Sequence, residues 1–252
     1  MVCLMARDRI TRERVVGHET RLPSALFLLA LAFAAPAGAR DWAGSVGYAS
    51  DNVYRGLSLS EGRPAWFADL HRSFGTEWVV GLAAAAERPA RQSAGARLTA
   101  YLERRWQLAP DWAAGIGVAH HESPWNDFAR HVRYDEVNAV IGWRGRWRIS
   151  LAVSPNTTAY EGWTIRDGVA VWSAVSFHQP LQGRLAADFG IGYADLSRLG
   201  VASYAYGNAG LAWGVGDVYL HLTWLHTDGA DGAYAGGSDP GSRWVASAMW
   251  RF

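Results

Sequence analysis

The chain has a single cysteine, Cys3, and no lysine; all 24 of its basic residues are arginine. One cysteine excludes a disulfide framework and a cysteine-built zinc centre. Against 23 acidic residues the formal charge is +1, so bulk charge implies no nucleic-acid partner. Proline is sparse, nine residues in 252, and after residue 39 no apolar run is long enough for a transmembrane helix. Rings and glycine, by contrast, are plentiful. Fourteen tryptophans and 28 glycines exclude a disordered chain, which would be poor in aromatics. Mean hydropathy is still near zero, −0.08, although 50% of the residues are hydrophobic.

Residues 1–21 carry Arg7, Arg9, Arg12, Arg14 and Arg21, and the chain then turns apolar from Leu22 to Ala35. Ala37-Gly38-Ala39 follows, a small-residue triplet of the kind signal peptidase cuts. Residues 1–39 therefore read as a secretory signal peptide, with 40–252 as the exported domain. The apolar stretch is short, and interrupted by Pro23, so a membrane anchor is the lesser reading. Cleavage would remove Cys3 and leave an exported chain that needs no thiol chemistry.

Beyond residue 39 the apolar period is two, not 3.6. Val218, Leu220, Leu222 and Trp224 share one face of a strand, with Tyr219, His221 and Thr223 on the other. Leu185, Ala187, Phe189, Ile191 and Tyr193 behave alike, as do Trp147, Ile149, Leu151 and Val153. Comparable segments lie near 45–58, 64–74, 77–87, 96–108, 111–121, 134–144, 169–179, 203–213 and 243–252. About 12 strands are expected. Their connections alternate in length. Gly75-Thr76, Ala109-Pro110-Asp111, Gly145-Arg146, Leu181-Gln182-Gly183 and 214–216 have tight-turn chemistry. The other links, 88–95, 122–133, 155–168, 196–202 and 228–242, are long, and only the first, around Ser60-Glu61-Gly62-Arg63, is short. Short turns at one end and long loops at the other are the rhythm of a closed antiparallel transmembrane β-barrel in a bacterial outer membrane.

Tryptophan placement supports lipid over water as the outer medium. Phe74, Trp78, Trp106, Trp112, Trp143, Trp147, Trp213, Trp250 and Phe252 cluster beside the short turns. Trp66, Trp172, Trp224, Trp244, Tyr204 and Tyr206 stand at the opposite strand ends. Indole and phenol rings suit the bilayer interface, where an apolar body and a polar tip each find their medium. The last strand alternates Trp244, Ala246, Ala248, Trp250 and Phe252 with Val245, Ser247, Met249 and Arg251. A strand ending in phenylalanine resembles the segment by which outer-membrane proteins engage their insertion machinery, which makes that machinery an expected partner alongside outer-membrane lipid.

Charges facing hydrocarbon would cost about 2–4 kcal/mol each near the midplane. Alternation places Asp51, Arg55, Asp69, His71, Arg97, Glu103 and Arg105 on the opposite, lumenal faces. Glu136, Arg144, Arg148, His178, Arg184, Asp188 and His221 follow, with Tyr101, Tyr204, Tyr206 and Asn208. Arg72 and Arg104 fall on the lipid face near the short-turn rim, where long side chains can snorkel. Such a lumen is expected either to conduct small hydrophilic, anionic solutes or to be plugged by its own salt bridges.

One stretch carries a family resemblance. Tyr48-Ala49-Ser50-Asp51-Asn52-Val53-Tyr54-Arg55-Gly56-Leu57-Ser58-Leu59-Ser60, followed by Gly62-Arg63-Pro64-Ala65, resembles the signature of the TorF-type porin family, also labelled Gcw_chp. The resemblance covers about twenty residues and implies an exported barrel acting as a channel, with no established substrate. Arg55, expected to share a face with Asp51, is the first candidate functional residue.

Catalytic signals are thin. His121-Glu122-Ser123 with Glu136 is similar to the His-x-Ser arrangement of outer-membrane lipid A deacylases, but Pro124 and Trp125 depart from it. A base, a hydroxyl and an orienting carboxylate are what acyl transfer requires, so a lipid-modifying hydrolase is an alternative. A structural or adhesive barrel without transport is another. His120, His121 and His131 could ligate a metal, though loop histidines commonly do not. Asp228, Asp231 and Asp239 lack calcium-hand spacing. Neither an enzyme nor a bound cofactor is expected, and a monomer is the default.

Overall fold

The computed structural model describes residues 41–88, 95–125, 133–161, 164–229 and 241–252. The expected signal segment, His131, Asp231 and Asp239 lie outside them. The strands are β1 (Trp42–Ala49), β2 (Val53–Tyr54), β3 (Leu57–Ser58), β4 (Ala65–Phe74), β5 (Trp78–Glu87), β6 (Gly95–Ala109) and β7 (Trp112–Glu122). β8 (Tyr134–Trp143), β9 (Trp147–Glu161), β10 (Thr164–Pro180), β11 (Leu185–Asp195), β12 (Tyr204–Val215), β13 (Val218–Asp228) and β14 (Gly241–Arg251) follow.

All but β2 and β3 form one closed antiparallel barrel of 12 strands. Closure comes from β1 meeting β14, with Val46 opposite Trp250 and the Gly44 and Phe252 backbones exchanging hydrogen bonds of 3.0 and 3.1 Å. Every barrel strand therefore has two neighbours, the only β arrangement that satisfies its backbone without water.

Alternation decides what each wall shows. Val80, Leu82, Ile116, Val118, Ile149, Leu151, Ile191 and Leu222 are exposed on the outside, an apolar band far larger than a water-soluble surface tolerates. Trp42, Phe74, Trp78, Trp112, Trp147 and Trp213 ring the short-turn rim, half-exposed. Arg72 lies over Phe74 at 4.9 Å and Trp42 at 5.8 Å, and Arg104 over Trp106 and Trp78 at 5.0 and 5.3 Å. These two outward arginines thus lie along the ring belt while Asp41 and Glu77 hold their heads. At the other rim Tyr48, Tyr193, Trp224 and Trp244 are exposed.

Three expectations change. The first strand stops at Ala49 instead of reaching 58, and the link behind it is long, with β2 and β3 folded inside the barrel. The expected loop 155–168 is mostly strand, because β9 and β10 extend to Glu161 and from Thr164. Its threonines look like loop residues, but Thr157 and Thr158 are buried. Trp172, Tyr204 and Tyr206 are not girdle residues. Trp172 and Tyr204 are buried in a cluster with Leu57, Tyr134, Ala152, Ala170, Ala194, Leu196 and Leu199, against which Tyr206 packs. That cluster, at the long-link end, is the main apolar core among the described residues.

Candidate channel lumen

The lumen is narrowed by the segment between β1 and β4. β2 and β3 pair as a two-residue hairpin, Val53 with Ser58 and Tyr54 with Leu57. Its turn is Arg55-Gly56, with φ of +50° and +84°, the double left-handed turn that tight hairpins favour. Arginine is a poor residue for such a φ, so Arg55 needs compensation from its surroundings. Glycine at 56 is required twice over: by its φ, and because a Cβ there would meet Tyr206 Cβ and Thr227 Oγ1 at 2.6 and 2.7 Å.

The compensation for Arg55 comes from distant strands. Its Nη2 lies 2.7 Å from Glu136 Oε2 on β8, and its guanidinium sits 4.1 Å over the Trp172 ring on β10 and 4.8 Å over Tyr54. In strand order β10 is diametrically opposite β4, so the tip crosses the lumen. Burial works against the charge, but the Glu136 carboxylate, by its charge and its hydrogen bond, holds the guanidinium above its ordinary pKa. Arg55 stays cationic.

The rest of the hairpin is tied down in the same manner. Ser58 and Ser60 Oγ donate to Asp51 Oδ1 at 2.6 and 2.8 Å, and Arg243 on β14 holds the other Asp51 oxygen at 3.1 Å. Thr227 on β13 donates to the Gly56 carbonyl at 2.7 Å, and Asn52 to the Ala86 carbonyl on β5 at 2.8 Å. Arg97 reaches Glu87 at 2.6 Å and lies 5.1 Å over Tyr54. Walls and hairpin therefore share one buried polar network, the arrangement in which loss of a partner costs most.

Beside the Arg55 tip lies a cavity of about 350 Å³, lined by Arg55, Tyr101, His121, Glu136, Asn138, Arg148, Trp172 and Tyr206 among others. Arg55, Glu136 and Arg148, expected lumenal from the sequence, thus meet around one space. Glu103 also lines it, held by Arg105 at 2.7 Å. Asp69 accepts from Tyr101 at 2.8 Å and pairs with His71 at 2.6 Å. Asp188 pairs with His178 at 2.7 Å, and His221 lies on β13. Arg144 and Arg184 are placed otherwise, in short turns. Arg144, with φ of +54°, reaches Asp111 at 3.0 Å, and Arg184 precedes β11. Arg55 stands in the hairpin turn and Asp51 in the bend before β2, neither on a wall strand. Sequence reasoning missed Glu87, Thr227 and Arg243; for Arg243 the opposite phase to Trp244 was a usable signal.

His121, Ser123 and Glu136 do not form a relay. His121 Nδ1 faces Thr99 Oγ1 at 3.0 Å, and its ring stacks on Tyr134 at 4.4 Å. Ser123 donates to Glu87 at 2.7 Å, while Glu136 holds Arg55. Among the described residues no group of three or more His, Cys, Asp or Glu side chains is placed to hold a metal ion.

No family model and no curated protein matches the chain in sequence. Similarity appears at the level of solved structures. A COG4313 outer membrane channel from Pseudomonas putida F1 superposes with TM-score 0.55 at 10% identity, over 86% of this chain and 98% of that one. A structure from work on the in-meso crystallization of membrane proteins gives TM-score 0.54 at 11% identity, over 84% and 83% of the two chains. At such identities the likeness is one of fold: this chain has the closed barrel of outer-membrane channels.

Proposed function

We propose that the chain is an outer-membrane channel for passive diffusion of small hydrophilic solutes, with the β2–β3 hairpin as its constriction. The observation that carries this is the contrast between walls: an apolar, aromatic-banded exterior around a lumen of charged side chains and a cavity of about 350 Å³. A barrel needing only mechanical stability would fill its interior, as small barrels do. Preference for anions is supported by Arg148 and Arg251, which have no carboxylate partner among the described residues. The Tyr48–Ala65 resemblance to the TorF-type porin family points the same way. In this reading residues 1–39 direct export, the Trp244–Phe252 segment engages the insertion machinery, and the barrel performs no catalysis.

Purified protein in planar bilayers, with a salt gradient across the membrane, tests the proposal. Discrete conductance steps with an anion-selective reversal potential are expected; a protein that inserts yet gives no steps would overturn it.

A further inference from the structure

Two lumenal tyrosines lie flat instead of projecting. A Cβ on Gly81 would collide with the Tyr101 ring tip, and one on Gly192 with that of Tyr206. Each ring is therefore laid over a glycine of the adjacent strand; Tyr101 turns its other face towards the lumen, while Tyr206 also meets Gly56 of the hairpin and packs on the apolar cluster. β6 and β12, which carry them, are diametrically opposed in the barrel order, and both rings line the cavity beside the hairpin.

Charge in that cavity is uneven. Glu136 is held by Arg55 and Glu103 by Arg105, each at 2.7 Å. Arg148 lines the same space, exposed to it, and among the described residues it has no ion pair or hydrogen bond. Asn138 and Ser150 add neutral hydrogen-bonding groups. Aromatic faces bind flat apolar faces, whether of an arene or of a sugar's C–H side, and a guanidinium fork binds carboxylate in two-point fashion. Pockets of roughly 300–1,000 Å³ are the size of small-molecule sites.

We propose that the lumen holds a solute subsite for a small carboxylate carried on a ring, with Tyr101 against the ring and Arg148 taking the carboxylate. This deepens the channel reading by naming a solute class. Two sources share the chemistry, a sugar acid and an aromatic acid.

Calorimetric titration of the full barrel in detergent, which requires no conduction, tests the subsite with glucuronate, benzoate, glucose and acetate. Glucuronate or benzoate should bind at least about fivefold tighter than acetate, and glucuronate fivefold tighter than glucose. Binding of glucuronate alone assigns a sugar acid, and of benzoate alone an aromatic acid. Arg148→Gln should lower the affinity for the acid that binds at least about fivefold. Tyr101→Ala should erase its advantage over acetate, whereas Tyr101→Phe, which keeps the ring, should retain it. Absence of binding by all four, acetate binding as well as the ring acids, or an unchanged Arg148→Gln would overturn the proposal. Conductance without binding removes the subsite and leaves the channel; binding without conductance removes the channel and leaves the subsite.

Discussion

Arg55 and Glu136, 81 residues apart in the chain, meet inside the barrel with 2.7 Å between Nη2 and Oε2. One belongs to a strained hairpin turn and the other to the far wall, so this contact fixes how far the hairpin reaches across the lumen. Glu136 is buried and Arg55 largely so. Taking one partner from a buried pair costs about 3–5 kcal/mol, because the remaining charge is left unsolvated.

Glu136→Gln should therefore free the hairpin tip without harming the barrel wall. The expected outcome is a single-channel conductance raised about twofold or more, with the heat-modifiable gel shift of a folded barrel kept. The double variant Arg55→Gln/Glu136→Gln, which strands no charge, should be more stable than Glu136→Gln alone when thermal unfolding is followed by circular dichroism.

Gly56→Val tests the hairpin's seat from its other side. The added side chain meets Tyr206 and Thr227 and forces a β-branched residue to a φ of +84°, a strain of order 1–3 kcal/mol. Accelerated proteolysis confined to residues 50–64, with the barrel fragment intact, is the expected readout.

Barrel orientation predicts an asymmetry between neighbouring positions. Leu82 is 66% exposed on the outer wall, so Leu82→Arg should lower folding yield in lipid vesicles, with about 2–4 kcal/mol lost if it lies near the midplane. Asp69→Asn, on the inner face, should fold as the parent does, scored by the same gel shift.

His121→Ala and Ser123→Ala should leave the lipid A species of the host membrane unchanged by mass spectrometry. Their side chains serve Thr99, Tyr134 and Glu87, and no shared proton path links them.

Much of the wall was legible in the sequence because period-two alternation is a direct image of two different media. Leu220, Leu222 and Trp224 alternate with His221 and Thr223 as a lipid-facing strand must, and the tight turns carried their own chemistry. The hairpin was not legible, and the reason is local. Asp51, Val53 and Arg55 alternate just as a continuing wall strand would, and only the Arg55-Gly56 turn dihedrals separate the two conformations. Trp172 and Tyr204 misled for a related reason. A ring near a strand end has the same sequence signature whether it faces the interface or an inward loop, and its phase is what decides. In β10 the irregularity between Gly168 and Ala170 shifts the register just below Trp172. Pairings such as Asp51 with Arg243 depend on barrel closure, which joins the two ends of the chain and leaves no trace in spacing.

Whether the hairpin is the constriction is decided by single-channel recording of the parent protein beside a variant in which residues 51–60 are replaced by a short glycine-serine linker. Discrete steps are expected for the parent and steps several-fold larger for the variant, since the hairpin occupies the lumen and the walls remain. Equal conductance in the two, or none in either after verified insertion, would contradict it.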